Sequence, residues 1–329
     1  MNNTRKHIAV ALLNRNGKHW LEKFLSGVID HSPEAQVYVI DNRSDDGSVE
    51  WIRKHFPEVK VIGLVKNYGF AGGYNRALKQ IDEPFVILLN TDVEVTEHWI
   101  EPLINLLLSD DKVVAVQPKI KDYKNKAFFE YAGAAGGFID NLGYPYCQGR
   151  IGRFTEKDEG QYDRIKEIHW ASGACMAVKK DIFLKSGGFD EYFFAHQEEV
   201  DWAWRMRRIG YKLFFTPHAT VYHVGGGSLS YGNAFKTYLN FRNNLIMLLK
   251  NLPSDKLFPV ILLRLVLDGI AGLMYLLKLK PGHTRAIVKA HFSFYKMFKK
   301  YYKQRSDPFT GAYYKGKYVL LKAVLKRGL

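Results

Sequence analysis

The sequence predicts an α/β fold in which a mostly parallel sheet is flanked by helices and followed by a C-terminal helical extension. In the first 120 residues, short aliphatic runs alternate with amphipathic segments whose apolar residues recur at helical spacing. Continuous apolar strands of this kind are typical of sheets that are buried on both faces. Beyond residue 232 only helical patterns follow. Hydrophobic residues make up 47 % of the 329, which excludes a disordered chain.

Each element of this fold is predicted from its own pattern. The strands are His7–Leu13, Val37–Asp41, Val59–Val65, Phe85–Leu89 and Val113–Val116, with helices around Trp20–Ile29, after the turn Ser44–Gly47, at Asn75–Ile81 and at His98–Leu108. Residues 121–160 are rich in Gly, Tyr and Phe and are predicted as loops or a β-ribbon. Regular patterns return at Ile168–Lys179, in a helix at Glu198–Ile209, and in short strands at Lys212–Phe215 and Thr220–His223.

The C-terminal part differs from the rest in charge. The net charge is +15, and residues 280–329 hold 13 Lys or Arg against one acid, a net +12. We therefore divide the chain into residues 1–232 and a basic helical region, residues 233–329. Leu257–Leu279 is long enough to span a membrane, but it carries Arg264, Asp268 and Lys278, which favours a buried or interfacial helix.

The basic region predicts a polyanionic partner. Aromatic residues recur among its lysines, a mixture suited to the headgroup region of an anionic membrane. A solvated helix face packed on the body is the alternative, and no nucleic acid is expected because no recognition module is present. Two cysteines and an N-terminus without a secretory signal predict a cytoplasmic protein, peripheral on the cytoplasmic face of the plasma membrane.

Candidate functional residues lie where predicted strands end, the edge at which open α/β sheets bind ligands. Asp41 ends the second strand, a Gly-rich turn follows the third, and Asp92 follows the fourth. Glu198–Asp201 places three acids at the start of a helix, and His223 ends a late strand. Turn formation and helix capping are the structural alternatives for the acids. Neither G-x-G-x-x-G nor the P-loop pattern occurs, which argues against an ordinary dinucleotide fold and excludes a P-loop NTPase.

Five blocks over residues 7–230 resemble the inverting family 2 glycosyltransferases with the GT-A fold, a Rossmann-like fold. The blocks are Val39–Asn42 with Ser44 and Asp46–Ser48; Asn67–Gly73 with Asn75; Leu88–Asp92; Trp170–Cys175; and Gly187–Glu191 through Glu198–Asp201, Gly210-Tyr211 and His223. The order and spacing are most similar to the branch that contains rhamnosyltransferases and galactofuranosyltransferases.

The resemblance implies a role for individual residues. The residues implied to bind the donor nucleotide are Asn14, Asp41, Asn67, Gly72, Gly73 and Asn75, with Asp41 at the uracil or thymine. Asp92 and His223 would hold Mg²⁺ or Mn²⁺ near the diphosphate. Glu199 would be the general base, with Glu198 and Asp201 as alternatives. Trp170 and Gly173 would lie on the acceptor side.

Two positions depart from the family's pattern. Asn90 stands where the first acid of the D-x-D metal motif is expected, so the metal has one carboxylate fewer. Glu199 stands where Asp is commoner, which places its carboxylate one methylene further from the backbone.

We therefore expect an inverting transferase that moves a sugar from a UDP- or dTDP-sugar to a saccharide or lipid-linked saccharide in cell-envelope polysaccharide synthesis. A divalent ion would stabilise the leaving diphosphate while a carboxylate deprotonates the acceptor hydroxyl. The alternatives are a non-catalytic scaffold that binds polyanions or membranes, which has no need of Asp41, Asp92, Glu199 or His223, and a sugar nucleotidyltransferase. The latter is disfavoured because the turn Asn14–Gly17 does not provide a basic Gly-rich loop.

Overall fold

The computed structural model describes residues 7–152, 154–225, 233–305, 312–319 and 321–323. The strands in these ranges are β1 Ile8–Asn14, β2 Ala35–Asp41, β3 Lys60–Gly63, β4 Phe85–Asn90, β5 Val93–Val95, β6 Val113–Asp122, β7 Gly137–Ile139, β8 Pro145–Cys147, β9 Arg150–Ile151, β10 Phe154–Thr155, β11 Lys166–Ile168, β12 Cys175–Lys179 and β13 Lys212–His223. The α-helices are α1 Lys18–Asp30, α2 Ser48–His55, α3 Gly69–Ala77, α4 Glu101–Leu108, α5 Lys180–Lys185, α6 Glu198–Arg208, α7 Ala234–Asn251, α8 Ser254–Leu277 and α9 Pro281–Lys303.

The main sheet has the strand order β11-β13-β6-β12-β4-β1-β2-β3, with β5 paired to β13. The half that contains β1 to β4 is parallel, as the apolar runs predict. Its register aligns Asn14 with Asp41 and Leu13 with Asn90, so these strands end at one edge. That alignment places the predicted strand-end residues side by side.

The other half of the sheet is mixed. β12 runs antiparallel to both β4 and β6, while β13 is parallel to β6. β12 is reached through the long segment that follows β6, without the single crossover helix that makes neighbouring strands parallel. The expected α/β sheet with flanking helices is present, and it is parallel on one side and mixed on the other.

The Gly-rich region 121–160 forms a ribbon, one of the two structures predicted for it. Strands β7 to β10 make a small antiparallel sheet in the order β10-β9-β8-β7. β5 escaped prediction because it is only three residues long. The two short strands predicted at 212–223 are one strand, β13, with a register shift between Thr216 and Thr220.

The apolar core covers both faces of the main sheet. Leu21, Leu25 and Val28 of α1 pack with α4 residues on one face. The other face packs against α3, α6 and α7, and Leu245 and Leu248 of α7 belong to the same cluster as Trp202 and Trp204 of α6. The boundary at residue 232 lies outside the described residues, but α7, which follows it, shares the core of the preceding region.

The last helices form a hairpin in which α8 packs against α9. Among the described residues one helix, Ser254–Leu277, has the length and apolar composition needed to cross a membrane, and little of its most apolar stretch is buried. Its two central charges are buried, with Arg264 3 % and Asp268 2 % exposed. The opposite side of α8 is an exposed apolar row of Phe258, Leu262, Val266, Ile270, Leu273 and Leu277.

Candidate active site

The ends of β1 and β2 are joined by side-chain hydrogen bonds. Asn14 Nδ2 donates to Ser44 Oγ at 3.1 Å and to Ser48 Oγ at 2.9 Å, and Asn14 Oδ1 accepts from the Gly17 amide at 3.1 Å. The Asp41 carboxylate accepts from the Ser44 amide at 3.1 Å and is 8 % exposed. Asn14 therefore orders the two loops, while Asp41 lies at the edge where the resemblance implies a nucleotide base.

Asn42 organises the turn between β3 and α3. Its Nδ2 donates to Asn67 Oδ1 at 3.1 Å and to the Gly69 carbonyl at 3.0 Å, and its Oδ1 accepts from the Tyr68 amide at 2.9 Å. Asn67 Oδ1 also accepts from the Gly69 amide at 2.8 Å. The structure thus gives Asn67 a role in shaping its own turn, through a partner that the sequence did not single out.

The Gly-rich start of α3 contacts the protein itself. The first amides of the helix, Phe70 N and Ala71 N, donate to the Phe194 carbonyl at 2.6 and 3.2 Å. A Cβ on Gly72 would lie 2.9 Å from Tyr68 Cβ, and one on Gly73 would lie 2.8 Å from a Leu13 methyl. These glycines therefore permit close packing, and the Phe194 carbonyl occupies the start of α3.

Asn75 joins α3 to the segment that leads to α6. Its Nδ2 donates to the Phe189 carbonyl at 2.8 Å, and its Oδ1 accepts from the Phe189 amide at 2.9 Å. Both ends of this buried amide are satisfied by backbone, so Asn75 positions a loop.

Asp92 and His223 meet as the resemblance implies. β5 pairs with β13 so that Val93 is opposite His223, and His223 Nε2 lies 3.2 Å from Asp92 Oδ1. His223 Nδ1 lies 3.3 Å from Glu130 Oε1, and Asn90 Nδ2 lies 3.3 Å from His223 Nε2. Glu130 escaped the sequence analysis because it is a lone acid in an irregular segment, without periodicity to mark it.

This cluster is strongly charged and buried, with Asp92 and His223 each 5 % exposed and Glu130 3 %. Burial disfavours the imidazolium, but the carboxylates of Glu130 and Asp92 outweigh it and raise the pKa of His223 to about 10. His223 is therefore a cation between two acids, and it would have to release a proton before a ring nitrogen could bind a metal.

The carboxylate oxygens of Asp92 and the ring nitrogens of His223 are chemical types that can bind a divalent ion. Within the described residues no three His, Cys, Asp or Glu side chains surround a common metal position. Mg²⁺ is usually held by one or two carboxylates together with substrate phosphates. One carboxylate with a neighbouring histidine fits such an ion when it is bound together with a diphosphate.

The three acids at the start of α6 have different surroundings. Asp201, fully buried, accepts from Arg205 Nε at 3.0 Å, Lys250 Nζ at 2.7 Å and Asn251 Nδ2 at 2.8 Å. Burial acts to raise its pKa, but Lys250 and Arg205 outweigh it and lower the pKa of Asp201. All three partners hold Asp201 in the protein, which leaves Glu198 and Glu199 as the acids with free atoms.

Glu198 and Glu199 each have a buried Oε2 that lacks a hydrogen-bond partner within the described residues. Burial, followed by the neighbouring Glu199 charge, raises the pKa of Glu198 well above its usual range. Burial alone outweighs two backbone hydrogen bonds and raises the pKa of Glu199 to about 7. Buried carboxylate oxygens without a partner are rare and costly, so this pair is the strongest candidate for chemistry in the described structure.

Glu199 and the His223 cluster approach the same strand of the ribbon. Cys147 on β8 is fully buried, and burial raises the pKa of its thiol to about 11. Glu130 and Glu199 both add to this rise, against the Arg150 guanidinium. Glu199 and Glu130 therefore both lie within electrostatic range of the Cys147 thiol.

Trp170 and Gly173 mainly support the backbone. Trp170 Nε1 donates to the Phe138 carbonyl at 2.9 Å, and a Cβ on Gly137 would lie 2.2 Å from the Trp170 ring. A Cβ on Gly173 would lie 2.8 Å from the Phe70 ring. Both residues hold the ribbon against α3 and the main sheet.

Helix α7 holds the loop from which α6 starts. Phe194, His196 and Gln197 have φ of 66°, 70° and 73°, a left-handed conformation that non-glycine residues rarely adopt. Asn243 Nδ2 donates to the carbonyls of Phe193 at 2.9 Å, Ala195 at 3.0 Å and His196 at 2.7 Å. This side chain on a C-terminal helix thus stabilises the strained backbone directly before Glu198.

Comparison with known proteins finds relatives of this chain. The family model described as Glycosyl transferase family 2 matches residues 8–186. The N-acetylglucosaminyl-diphospho-decaprenol L-rhamnosyltransferase of Mycobacterium tuberculosis is 26 % identical over 230 residues, which cover 65 % of this chain and 74 % of the relative. The rhamnosyltransferase WbbL of Escherichia coli K12 is 20 % identical over 242 residues, 70 % of this chain and 89 % of the relative.

Solved structures share the fold. GalNAc-T7 with UDP, GalNAc and Mn²⁺ has a TM-score of 0.59 at 18 % identity over 75 % of this chain, which spans about half, 48 %, of that protein. The mannosyltransferase PcManGT of Pyrobaculum calidifontis, in complex with GDP-Man and Mn²⁺, has a TM-score of 0.54 at 13 % identity over 89 % of this chain and 88 % of its own.

The loop before α6 provides the first test. Replacing Asn243 by Ala removes a hydrogen bond from three carbonyls and leaves those of Ala195 and His196 without this donor, so the free energy of unfolding falls by about 1–3 kcal/mol. Amide hydrogen exchange in residues 193–199 becomes faster. Urea unfolding and exchange measured by mass spectrometry check both. Asn240→Ala, on the same helix, is the matched control, and equal exchange in the two variants would contradict the role of Asn243.

Proposed function

Because the chain belongs to glycosyl transferase family 2, we propose that it transfers a sugar, with inversion, from a UDP- or dTDP-sugar to a saccharide or lipid-linked saccharide acceptor. The reaction would serve cell-envelope polysaccharide synthesis on the cytoplasmic side of the membrane. The observation that carries the proposal is the carboxylate pair Glu198 and Glu199, each of which has a buried Oε2 without a hydrogen-bond partner within the described residues.

The donor nucleotide would bind at the ends of β1 to β4. Asp41 is the residue proposed to accept a hydrogen bond from the base, and Asn14 and Asn42 hold its loops in place. The solved structures that share this fold contain UDP or GDP-Man with Mn²⁺, which supports a nucleotide diphosphate donor. Gly72, Gly73 and Asn75 would contribute by shaping the turn.

Asp92 and His223 would hold Mg²⁺ or Mn²⁺ together with the donor diphosphate. When bound, the ion supplies positive charge to the leaving nucleoside diphosphate. The protein contributes the carboxylate of Asp92, fixed by its short connection between β4 and β5, and Asn90 adds a neutral amide in place of a second acid. With one carboxylate fewer, the ion would depend on the nucleotide for most of its ligands.

Glu199 would remove the proton from the acceptor hydroxyl. A base works best when its pKa lies near the working pH, and the pKa of Glu199 is raised to about 7 by burial. In one displacement the acceptor oxygen bonds to the anomeric carbon, the sugar–phosphate bond breaks and the carboxylate takes the proton. Glu198 remains the alternative base, whereas the ion pairs of Asp201 with Lys250 and Arg205 favour a structural role.

A lipid-linked acceptor is supported by the M. tuberculosis relative, whose name specifies a decaprenol diphosphate acceptor. The apolar row of α8 would then rest on the membrane. Its six residues, Phe258 to Leu277, are each at least half exposed and extend over about 28 Å of helix. On α9, Val288 and Phe292 are exposed beside Lys289, Lys296 and Lys299, an arrangement typical of helices that lie in the headgroup region.

Glu199→Gln tests the catalytic base. Removing the basic carboxylate lowers kcat by about 10²–10⁴-fold, and donor affinity changes little. In the wild type kcat rises with pH through about 7 as Glu199 ionises, and this limb disappears in the variant. Glu198→Gln is measured beside it; if that variant loses turnover while Glu199→Gln keeps it, Glu198 is the base.

The melting temperatures of Glu199→Gln and Asp201→Asn separate effects on catalysis from effects on stability. The folded pKa of Glu199 lies above its unfolded value of about 4.3, so the native state binds more protons between these values. Its contribution to stability is therefore present below pH 4.3 and lost as pH rises through 7. In Glu199→Gln the loss of stability with rising pH is smaller, and the variant melts at or above the wild-type temperature at pH 8. Asp201→Asn melts lower, because Lys250 and Arg205 lose their counter-charge.

Asp92→Ala tests the metal. In the wild type, Mn²⁺ strengthens UDP or dTDP binding, and Asp92→Ala removes most of that gain while weaker metal-free binding remains. Calorimetric titrations with Mn²⁺ and with EDTA measure both. Asp45→Ala, an exposed acid in the loop after β2, is the control. Equal wild-type affinity under the two conditions would exclude a metal role.

The membrane contact is tested by point substitutions in the full chain. Removing residues 281–329 would also take Phe294 and Tyr301 out of the core. Lys289→Gln with Lys296→Gln weakens binding to anionic vesicles by roughly fivefold per residue at low salt, from about 1 kcal/mol each. Leu262→Gln with Leu273→Gln weakens binding at every salt concentration. Leu108→Gln on α4 is the control, and a wild-type protein that does not float with vesicles contradicts the contact.

A further inference from the structure

Three basic or imidazole side chains surround Phe138 on β7. Lys315 Nζ lies 4.6 Å and Lys166 Nζ 5.5 Å from the centroid of the Phe138 ring. The His169 ring packs edge-on against the same ring, with centroids 5.4 Å apart. Residues far apart in sequence thus converge on one face of the ribbon.

Arg207 of α6 approaches the same place. Its Nη1 is buried and has no hydrogen-bond partner within the described residues. Burial, then Arg207 and Lys315, lowers the pKa of His169 to about 3, so the imidazole stays neutral between two cations. Burial, then Lys315, also lowers the pKa of Lys166. The contacts place Lys166, Lys315 and His169 around Phe138, and the effect on His169 indicates that Arg207 lies nearby.

No carboxylate neutralises this cluster at contact distance. Across the described part of the chain, none of Lys166, Arg207 and Lys315 forms an ion pair within 4.0 Å, although Glu167 acts on Arg207 from further away. Lys166 Nζ has only the neutral Gln148 Oε1, at 3.1 Å. Like charges gathered beside a buried, unpartnered guanidinium nitrogen destabilise the protein unless an anion joins them.

The cluster is connected both to the helix of the proposed base and to the part of the ribbon that α8 contacts. Arg207 follows Glu199 by eight residues on α6, about 12 Å along the helix. The Lys315 amide donates to the Ile139 carbonyl at 2.8 Å, at the end of β7. Just beyond, Arg264 of α8 stacks 3.5 Å from the Tyr144 ring centroid and donates to the Leu142 carbonyl at 2.9 Å.

We propose that Lys166, Arg207 and Lys315 bind the diphosphate of a lipid-linked acceptor, with His169 as a neutral hydrogen-bonding neighbour. The proposal rests on the proposed function and adds a subsite to it. Three separate cations match the two negative charges of a diphosphate bonded to both a sugar and a lipid. The saccharide would then extend toward Glu199 and the lipid toward α8.

Geranyl diphosphate is the probe, titrated calorimetrically with the nucleotide site saturated by UDP and Mn²⁺. The double variant Lys166→Gln with Lys315→Gln binds the probe at least tenfold more weakly than the wild type, because hydrogen bonds to charged groups are lost. Lys166→Arg with Lys315→Arg retains most of the affinity. The matched control, Lys185→Gln with Lys256→Gln, removes two exposed lysines elsewhere and binds like the wild type.

A thermal readout separates a ligand site from a structural role. Without ligand, the double glutamine variant melts at or above the wild-type temperature, because charge repulsion is relieved. Geranyl diphosphate raises the melting temperature of the wild type and has little effect on that of the variant. A lower melting temperature without ligand, together with an unchanged affinity for the probe, would overturn the proposal.

Two further outcomes are decisive. If the variant loses binding to phosphatidylglycerol vesicles but keeps geranyl diphosphate, the cluster binds headgroups and the acceptor subsite is wrong. If the wild type does not bind geranyl diphosphate, the subsite is also wrong. A wild type that binds geranyl diphosphate but neither UDP nor dTDP would instead contradict the proposed donor and leave the anion site standing.

Discussion

The hydrogen-bonded ion pairs of Asp201 are the interaction on which the arrangement of the site depends. A fully buried carboxylate is costly unless it is compensated, and Asp201 receives Arg205 from its own helix and Lys250 and Asn251 from the last turn of α7. These bonds fix α6 against α7. Asn243, two turns earlier on α7, then holds the strained loop before Glu198. The position of the carboxylate pair is therefore set by a C-terminal helix as well as by the sheet.

The buried acids differ in whether the protein compensates them. Asp92 and Glu130 share the imidazolium of His223, and Asp201 has Lys250. Glu198 and Glu199 retain buried oxygens without partners, at the expense of stability. Natural proteins keep such conflicts at functional sites, where a substrate group completes the interaction. In the same way, Lys166 and Arg207 form no ion pair within 4.0 Å in the described part of the chain, whereas the surface lysines Lys185 and Lys256 are paired with acids.

The strand-end residues were predictable because their strands are continuous apolar runs and parallel strands align their ends. The direction of β12 was not, since an apolar run carries no information on polarity. The acidic block at α6 could be recognised, but the different environments of Glu199 and Asp201 depend on Lys250, 49 residues beyond Asp201, which no local pattern connects. Asn75 and Trp170 stand in family motifs, yet their polar side-chain atoms bond backbone groups.

The orientation of α8 is likewise determined by buried charges and their partners. Arg264 and Asp268 lie one turn apart and face the protein, where Arg264 meets Tyr144 and Asp268 meets His291 at 3.3 Å. Rotating the helix would expose this pair to a lipid surface or bury the apolar row against polar loops, and both are unfavourable. The buried hydrogen bond from Arg264 to the Leu142 carbonyl thus fixes the exposed row relative to the ribbon. Because β8 also lies within the electrostatic range of Glu199, the ribbon sets the spacing between the carboxylate pair and the apolar face of α8.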